Sequence, residues 1–166
     1  TIGAEAAFQF GDYKAAITQS PEQDIDAFGM EVFGEYRWNE HEYKPMIGLQ
    51  YVIFSGDDGT ATTDDYDGWN GMFRGSTFGD IRDYQEVFYG TAQSGDQAAG
   101  TNQQHFAIYG DIMPMEDLKI DGQFYWFWND ENLQVGGAEL DEEIGSELDI
   151  HVTYDYTEDV AFGLGL

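Results

Sequence analysis

Two groups of charged side chains have types and spacings that point to ion chemistry. The first lies between Gly56 and Gly68 and consists of Asp57, Asp58, Asp64, Asp65 and Asp67. A hard cation such as Ca²⁺ needs several oxygen ligands, and glycine permits the tight turn that closely spaced ligands require. The spacing is not that of an EF-hand loop, which ends in a bidentate glutamate. Two interpretations therefore stay open: a bound Ca²⁺, or loop charge that is simply solvated.

The second group occupies every second position in stretches where apolar and polar residues alternate. Its members are Glu31, Glu35, Arg37, Asp111, Lys119, Asp121, Glu147, Asp149, His151 and Asp155. Carboxylate rings in a pore favour cations, so these residues are candidates for the lining of a passage. Arg37 and Lys119 are expected to pair with neighbouring acids and to form a constriction there. The plainer alternative is that all of these side chains wet a polar interior.

Catalytic groups are sparse in this sequence. His41 falls in a short polar segment, whereas His105 and His151 are single histidines on the polar sides of two stretches. The chain has no cysteine, which excludes disulfides, thiolate metal sites and cysteine catalysis. No glycine-rich phosphate loop precedes a helical pattern. We therefore expect no enzyme activity and no cofactor, apart from the Ca²⁺ considered above.

The composition is strongly acidic, with 33 Asp and Glu against 6 Lys and Arg and a formal net charge of -27 among 166 residues. Such a chain repels nucleic acid and other polyanions, because their recognition rests on basic side chains. It attracts cations, although a salt-adapted or solubilising surface would have the same composition. The aromatic content of 16% argues for an ordered chain rather than an acidic disordered tail.

The elements that carry these charges are predicted to be β-strands, because a two-residue alternation gives a strand two different faces. The clearest stretch is Leu118–Trp128. The predicted strands are Ile2–Gly11, Ala27–Trp38, Met46–Phe54, Gln104–Ile112, Leu118–Trp128 and Glu147–Tyr156, and Val160–Leu166 begins a seventh. The chain is expected to form a single β-barrel domain over residues 1–166.

The predicted connections alternate between long and short. The longest, at about Ser55–Thr101, is rich in aromatic residues, so part of it is expected to fold back as a plug or lid, with a short helix near Ile81–Phe88. An up-and-down meander places all long loops at one rim and all short turns at the other. Outer-membrane barrels have this asymmetry, with the long loops outside the cell.

Strand length and aromatic placement favour a membrane-spanning β-barrel over a soluble β-barrel. The strands have about the ten residues that a tilted strand needs to cross a bilayer, and no run of about 18 apolar residues predicts a transmembrane helix. Apolar-face aromatics mark both rims, as interfacial girdles do: Tyr36, Trp38, Tyr154 and Tyr156 at one, Tyr51, Trp126 and Trp128 at the other. A soluble calycin-type barrel with its apolar face inside is the alternative.

Several segments carry a resemblance to a known family. Residues Gly145–Val160 (GSELDIHVTYDYTEDV) resemble the penultimate hairpin of alginate-export-type outer-membrane porins, where a G-[ST]-E-L-D-[LI] strand precedes a short turn. Tyr51–Asp58 is similar to the family's strand before a long extracellular loop. Phe106–Trp128, a hairpin over a proline-containing turn, also fits. The resemblance extends in pattern over about two thirds of the chain.

The resemblance implies a monomeric channel barrel in the bacterial outer membrane with more strands than the seven seen here. The partners we expect are the lipid bilayer with its lipopolysaccharide, small solutes, and a protein partner on the extracellular loops. An odd strand number does not suit closure of a bacterial barrel. We therefore expect the chain to be the C-terminal part of a larger barrel, with further strands before it and the rest of its last strand after it.

The charge departs from the family, because an alginate exporter resembles a basic conduit for a polyanion. We therefore expect a porin for passive diffusion of small solutes, with an acidic, cation-favouring lumen. A structural barrel that anchors or sheathes a surface or electron-transfer partner is a second hypothesis, and a soluble ligand-binding barrel is a third. Conductance separates the first two, and solubility without detergent would indicate the third.

Overall fold

The computed structural model describes residues 1–13, 23–57, 65–69, 79–80, 101–132, 134–135, 138–139 and 141–166. These residues form the strands β1 (Ile2–Tyr13), β2 (Gln23–Arg37), β3 (Met46–Phe54), β4 (Asp65–Tyr66), β5 (Gln103–Met115), β6 (Leu118–Trp128), β7 (Gln134–Val135), β8 (Ala138–Glu139), β9 (Glu143–Thr157) and β10 (Val160–Gly165). Within these ranges, no helix has the length and apolarity that a bilayer crossing would require.

The long strands form one antiparallel meander in the order β1-β2-β3-β5-β6-β9-β10, so each strand pairs with its neighbours along the chain. The two-residue β4 pairs in parallel with the start of β2, and β7 and β8 form a separate small hairpin. β1 and β10 are the two edges of the sheet in the described part of the chain. The all-β antiparallel fold class predicted from the alternation is confirmed.

Antiparallel pairing sends the connections alternately to the two ends of the sheet. The strand termini at one end of the sheet are joined by the tight segments 38–45, 116–117 and 158–159, and the strand termini at the other end are those joined by the longer segments 14–22, 55–102 and 129–142. We refer to them as the short-turn end and the long-connection end. The predicted asymmetry of the connections follows from these strand positions.

The strand boundaries agree best where the alternation is uninterrupted. β3 and β6 have the predicted limits, whereas β2 begins at Gln23 and β9 at Glu143, each four residues earlier than predicted. β5 continues past Pro114, where the pairing register with β6 shifts between Ile112 and Met115. A bulge tolerates a residue that has no N–H for the ladder. The predicted helix near Ile81–Phe88 lies outside the described residues.

One face of the sheet is apolar and exposed, and we call it the outer face. Its rows continue from strand to strand, since Tyr51 pairs with Phe106 and Phe106 pairs with Trp126. Leu148 is 57% exposed and Leu164 is 62% exposed. A water-soluble domain rarely exposes a continuous apolar face of this extent, whereas a membrane barrel turns such a face to lipid.

The opposite face, called the inner face, is polar and partly covered. Val52 and Ala107 on this face are only 1% and 0% exposed. The Tyr109 ring lies over Gly48 so closely that any β-carbon there would collide with it, and Phe33 covers Gly3 in the same way. Aromatic cover of strand glycines lets a side chain cross a neighbouring strand. Tyr109 on β5 crosses β3 in this manner, with its ring against Gly48.

Candidate functional site on the inner face

The pairing register places the predicted lining residues on the inner face. One row runs across five strands: Arg37 pairs with Met46, Met46 with Asp111, Asp111 with Asp121, and Asp121 with His151. Residues directly opposite each other in an antiparallel pair share a face. The register therefore puts these side chains on one face of the sheet, and this row, nearer the short-turn end, contains Arg37, Asp111, Asp121 and His151.

Arg37 forms the most specific contact of the row. Its Nη1 and Nη2 atoms donate to Oδ1 and Oδ2 of Asp111, each at 2.7 Å, and Nη1 also donates to the Lys44 carbonyl oxygen at 2.9 Å. The Asp111 side chain is only 4% exposed. A planar guanidinium matches a carboxylate with two parallel bonds, so this pair ties β2 to β5 across β3.

Asp121 has cationic partners on the same face. Lys119 Nζ lies 3.2 Å from Asp121 Oδ1, and His151 Nδ1 lies 3.0 Å from Asp121 Oδ2. Because Asp111 and Asp121 are directly opposite each other, their like charges would repel. Arg37 and Lys119 each neutralise one of the two. The expected pairing of these bases with neighbouring acids is present.

Towards the long-connection end, two acids of the inner face bind uncharged donors instead. Glu31 Oε1 accepts a 2.7 Å hydrogen bond from Gln50 Nε2. Asp149, which is 2% exposed, accepts the backbone N–H of Asp80 at 3.3 Å. These bonds position the carboxylates without removing their charge.

The basic residues are concentrated at the opposite end. Arg37, Lys44 and Lys119, the Lys and Arg residues of the described ranges, all lie at or near the short turns. Glu5 and Glu31, by contrast, sit directly opposite each other on β1 and β2. Among the described strand positions, the inner face therefore carries a charge gradient that is most negative towards the long connections.

A segment of the longest connection lies on this face, at Gly79 and Asp80. Asp80 Oδ2 is 2.6 Å from His151 Nε2, and the Asp80 backbone N–H donates to Asp149 Oδ2 at 3.3 Å. At these two residues the connection contacts the inner face, and the plug or lid expected of the whole connection stays a prediction. Asp80 itself was not a candidate in the sequence, because it lies outside any alternating stretch and no pattern distinguishes it from other loop acids.

The two ends of the same connection are held at the rim of the sheet by hydrogen bonds of Ser55 and Asn102, which no sequence pattern marks. Ser55 Oγ accepts the Phe28 N–H at 3.0 Å and donates to the Asp67 carbonyl oxygen at 2.7 Å. Asn102 exchanges two backbone bonds with Glu131, at 3.0 Å through Nδ2 and at 2.7 Å through Oδ1. Its φ of 45° is left-handed, which asparagine tolerates better than most residues.

A groove of about 190 Å³ opens on the inner face near this rim. Its walls include Glu5 and Glu31 on one side and Phe54 with Trp69 on the other. The two aromatic rings are stacked, with centroids 6.0 Å apart. The groove offers a small solute both a negative and an aromatic surface.

The remaining predicted residues lie apart from these contacts. Asp155 is exposed at the short-turn end, opposite Ala161 on β10. Of the proposed Ca²⁺ ligands, Asp58 and Asp64 fall outside the described residues, Asp65 begins β4, and Asp57 and Asp67 lie close to the rim. Within the described ranges, no three acidic or histidine side chains are grouped as metal ligands. The Ca²⁺ site stays a prediction.

Comparison with known proteins gives the family. A family model described as alginate export matches residues 3–164, which contain nearly all of the seven-stranded meander. Among curated proteins, none matches this chain. The exposed apolar face, the polar inner face and the unequal connections are those of a membrane barrel wall. The chain therefore belongs to the alginate-export family, a family of β-barrel transport channels of the bacterial outer membrane.

Proposed function

We propose that this chain forms part of the wall of an outer-membrane channel through which small cationic and uncharged solutes diffuse passively. One observation carries the proposal. Arg37 and Lys119, the Arg and Lys residues on the described inner face, are both bound to carboxylates, whereas Glu31 and Asp149 are bonded by uncharged donors. The face keeps a net negative charge after all of these contacts are made.

The physical consequence is selectivity by charge. Carboxylates along a narrow passage raise the local concentration of cations and lower that of anions, most strongly where low-dielectric walls focus the field. A polyanion such as alginate would meet this field with every uronate unit. We therefore propose that the chain retains the family's barrel and departs from its namesake cargo.

Solute flux into proteoliposomes tests this proposal. Purified full-length protein would be reconstituted, and vesicle swelling measured for solutes of similar size: a diamino acid with a net positive charge, a neutral hexose and a uronate. The expected order of rates is cation first, neutral sugar second and uronate last. Fastest entry of the uronate would contradict the proposal, and no flux of any solute would favour a structural barrel that anchors a partner.

A charge-neutralised variant identifies the residues responsible. Glu31→Gln, Glu35→Gln and Asp149→Asn together keep the side-chain shapes and remove three inner-face charges, so the cation preference should weaken. The matched control neutralises three exposed short-turn acids with Glu116→Gln, Asp117→Asn and Glu158→Gln, and should keep the preference. Equal effects of the two triple variants would place the selectivity outside the inner face.

A further inference from the structure

We infer that His151 is a pH-sensitive latch which, when doubly protonated, holds the Gly79–Asp80 segment against the inner face. His151 Nδ1 lies 3.0 Å from Asp121 Oδ2, and His151 Nε2 lies 2.6 Å from Asp80 Oδ2. An ionised carboxylate can only accept a hydrogen bond, and a neutral imidazole carries only one N–H. Both contacts are therefore hydrogen bonds at once only when His151 is an imidazolium.

The charged groups around His151 explain why its second proton controls the contact with Asp80. β6 contributes Asp121, Lys119 and Tyr125, β5 contributes Asp111 opposite Asp121, and β9 contributes Glu147, Asp149 and Asp155. The facing residues of β10, Gly163 and Gly165, are not titratable. Within this described set, Lys119 is the one base besides His151, and it lies against Asp121 Oδ1. When His151 loses its proton, Asp80 loses the cationic partner that the described residues give it.

The backbone of the Gly79–Asp80 segment also fits closely against the inner face. Gly79 has a φ of +82°, and a β-carbon built there would lie 2.7 Å from a carboxylate oxygen of Glu147. Glycine is the residue that meets both conditions without strain. The next amide, that of Asp80, donates to Asp149 Oδ2 at 3.3 Å. The segment is thus held by the close backbone packing of Gly79 and by the contacts of Asp80 with Asp149 and His151.

The direction of the pH effect follows from the charges. The latch is fully made while His151 is protonated and is lost as the pH rises through its deprotonation, because Asp80 is then repelled by Asp149 and Glu147. If the inner face lines a passage, as proposed above, the held segment narrows it and alkaline pH widens it. The contact itself does not depend on what crosses the membrane.

Hydrogen exchange at the Asp80 amide tests the latch without any transport assay. Full-length protein in lipid vesicles would be compared from about pH 5 to about pH 10, a range that spans ordinary histidine titration widely, with intrinsic exchange rates corrected for pH. We expect protection of this amide to fall at least about tenfold as the pH rises, since its bond to Asp149 lasts only while the segment is held.

Variants separate the latch from general damage to the sheet. His151→Gln keeps one donor but no charge, and Asp80→Asn leaves every strand residue unchanged. Both should show the low, pH-independent protection of the released segment, whereas His41→Gln, in an exposed short turn, should behave like the wild type. Wild-type protection at acid pH in both latch variants would overturn the inference.

Single-channel current gives an independent second reading. The wild type should show larger unit conductance at alkaline than at acid pH, and Asp80→Asn should show the larger value at both. A protein without conductance but with latch-dependent exchange would refute the proposed channel and keep the latch. Conductance with exchange that is insensitive to His151 would keep the channel and refute the latch.

Discussion

At the scale of single residues, the bases of the inner face serve to hold acids close together. Asp111 and Asp121 are direct cross-strand neighbours. Their proximity is tolerated because Arg37 forms an ion pair with Asp111 and Lys119 forms one with Asp121. The sequence predicted that these bases pair with acids. It did not predict which acids, because Arg37 reaches two strands away and that geometry depends on side-chain length and sheet curvature.

Replacing Arg37 with alanine should lower the free energy of unfolding by about 2 kcal/mol. The change leaves the Asp111 carboxylate, 4% exposed, without its bidentate partner, and hydrogen bonds to charged groups contribute about 1.5–3 kcal/mol. The arginine side chain is 32% exposed, so solvent screening reduces the effect. Urea unfolding in lipid vesicles, followed by tryptophan fluorescence, measures the difference.

The matched control for that change is Lys119→Ala. The lysine side chain is 46% exposed and its contact with Asp121 is a single 3.2 Å approach, so we expect a loss under about 1 kcal/mol. Equal losses for the two alanine variants would mean that the bidentate geometry contributes nothing beyond a surface ion pair.

At the scale of elements, the strands were predictable and the loop contacts were not. A strand with one lipid face and one polar face shows a two-residue alternation of apolar and polar side chains. The limits of β3 and β6 predicted from this alternation are therefore correct to the residue. Asp80 and Asn102 act through the three-dimensional course of a long connection, and no period marks them. The charged face could be assigned in advance, whereas the segment that covers it could not.

An arginine at the centre of the outer face should be more costly than one on the inner face. Leu49→Arg on β3 points towards lipid and is expected to destabilise by about 2–4 kcal/mol if near the bilayer midplane. Ala7→Arg, on the inner face beside Glu5 and Glu31, is the matched control and should cost little. The measurement is the free energy of unfolding in vesicles.

The outer-face comparison also separates the membrane barrel from a soluble one. Leu49 is 48% exposed in the isolated sheet, so an arginine there would be nearly neutral in water. Equal stability of Leu49→Arg and Ala7→Arg would contradict a lipid-facing outer surface.

At the scale of the whole molecule, family and charge give different information. The family match over residues 3–164 and the exposed apolar face identify a membrane barrel channel. The net charge of -27 concerns what such a channel would admit, because charge acts on partners and passage rather than on fold. Composition alone left salt adaptation open as an explanation of this acidity. The charge gradient of the inner face is what turns the acidity into a proposal about selectivity.

The reversal potential of the wild-type channel tests whether its acidic inner face makes it cation-selective. Full-length protein would be inserted into a planar bilayer that separates two KCl solutions of different concentration, and the voltage of zero current recorded. An acidic lining predicts the sign of a K⁺-selective pore, with a smaller magnitude at high salt as the charges are screened. A potential of the opposite sign, that of a Cl⁻-selective pore, would contradict the account.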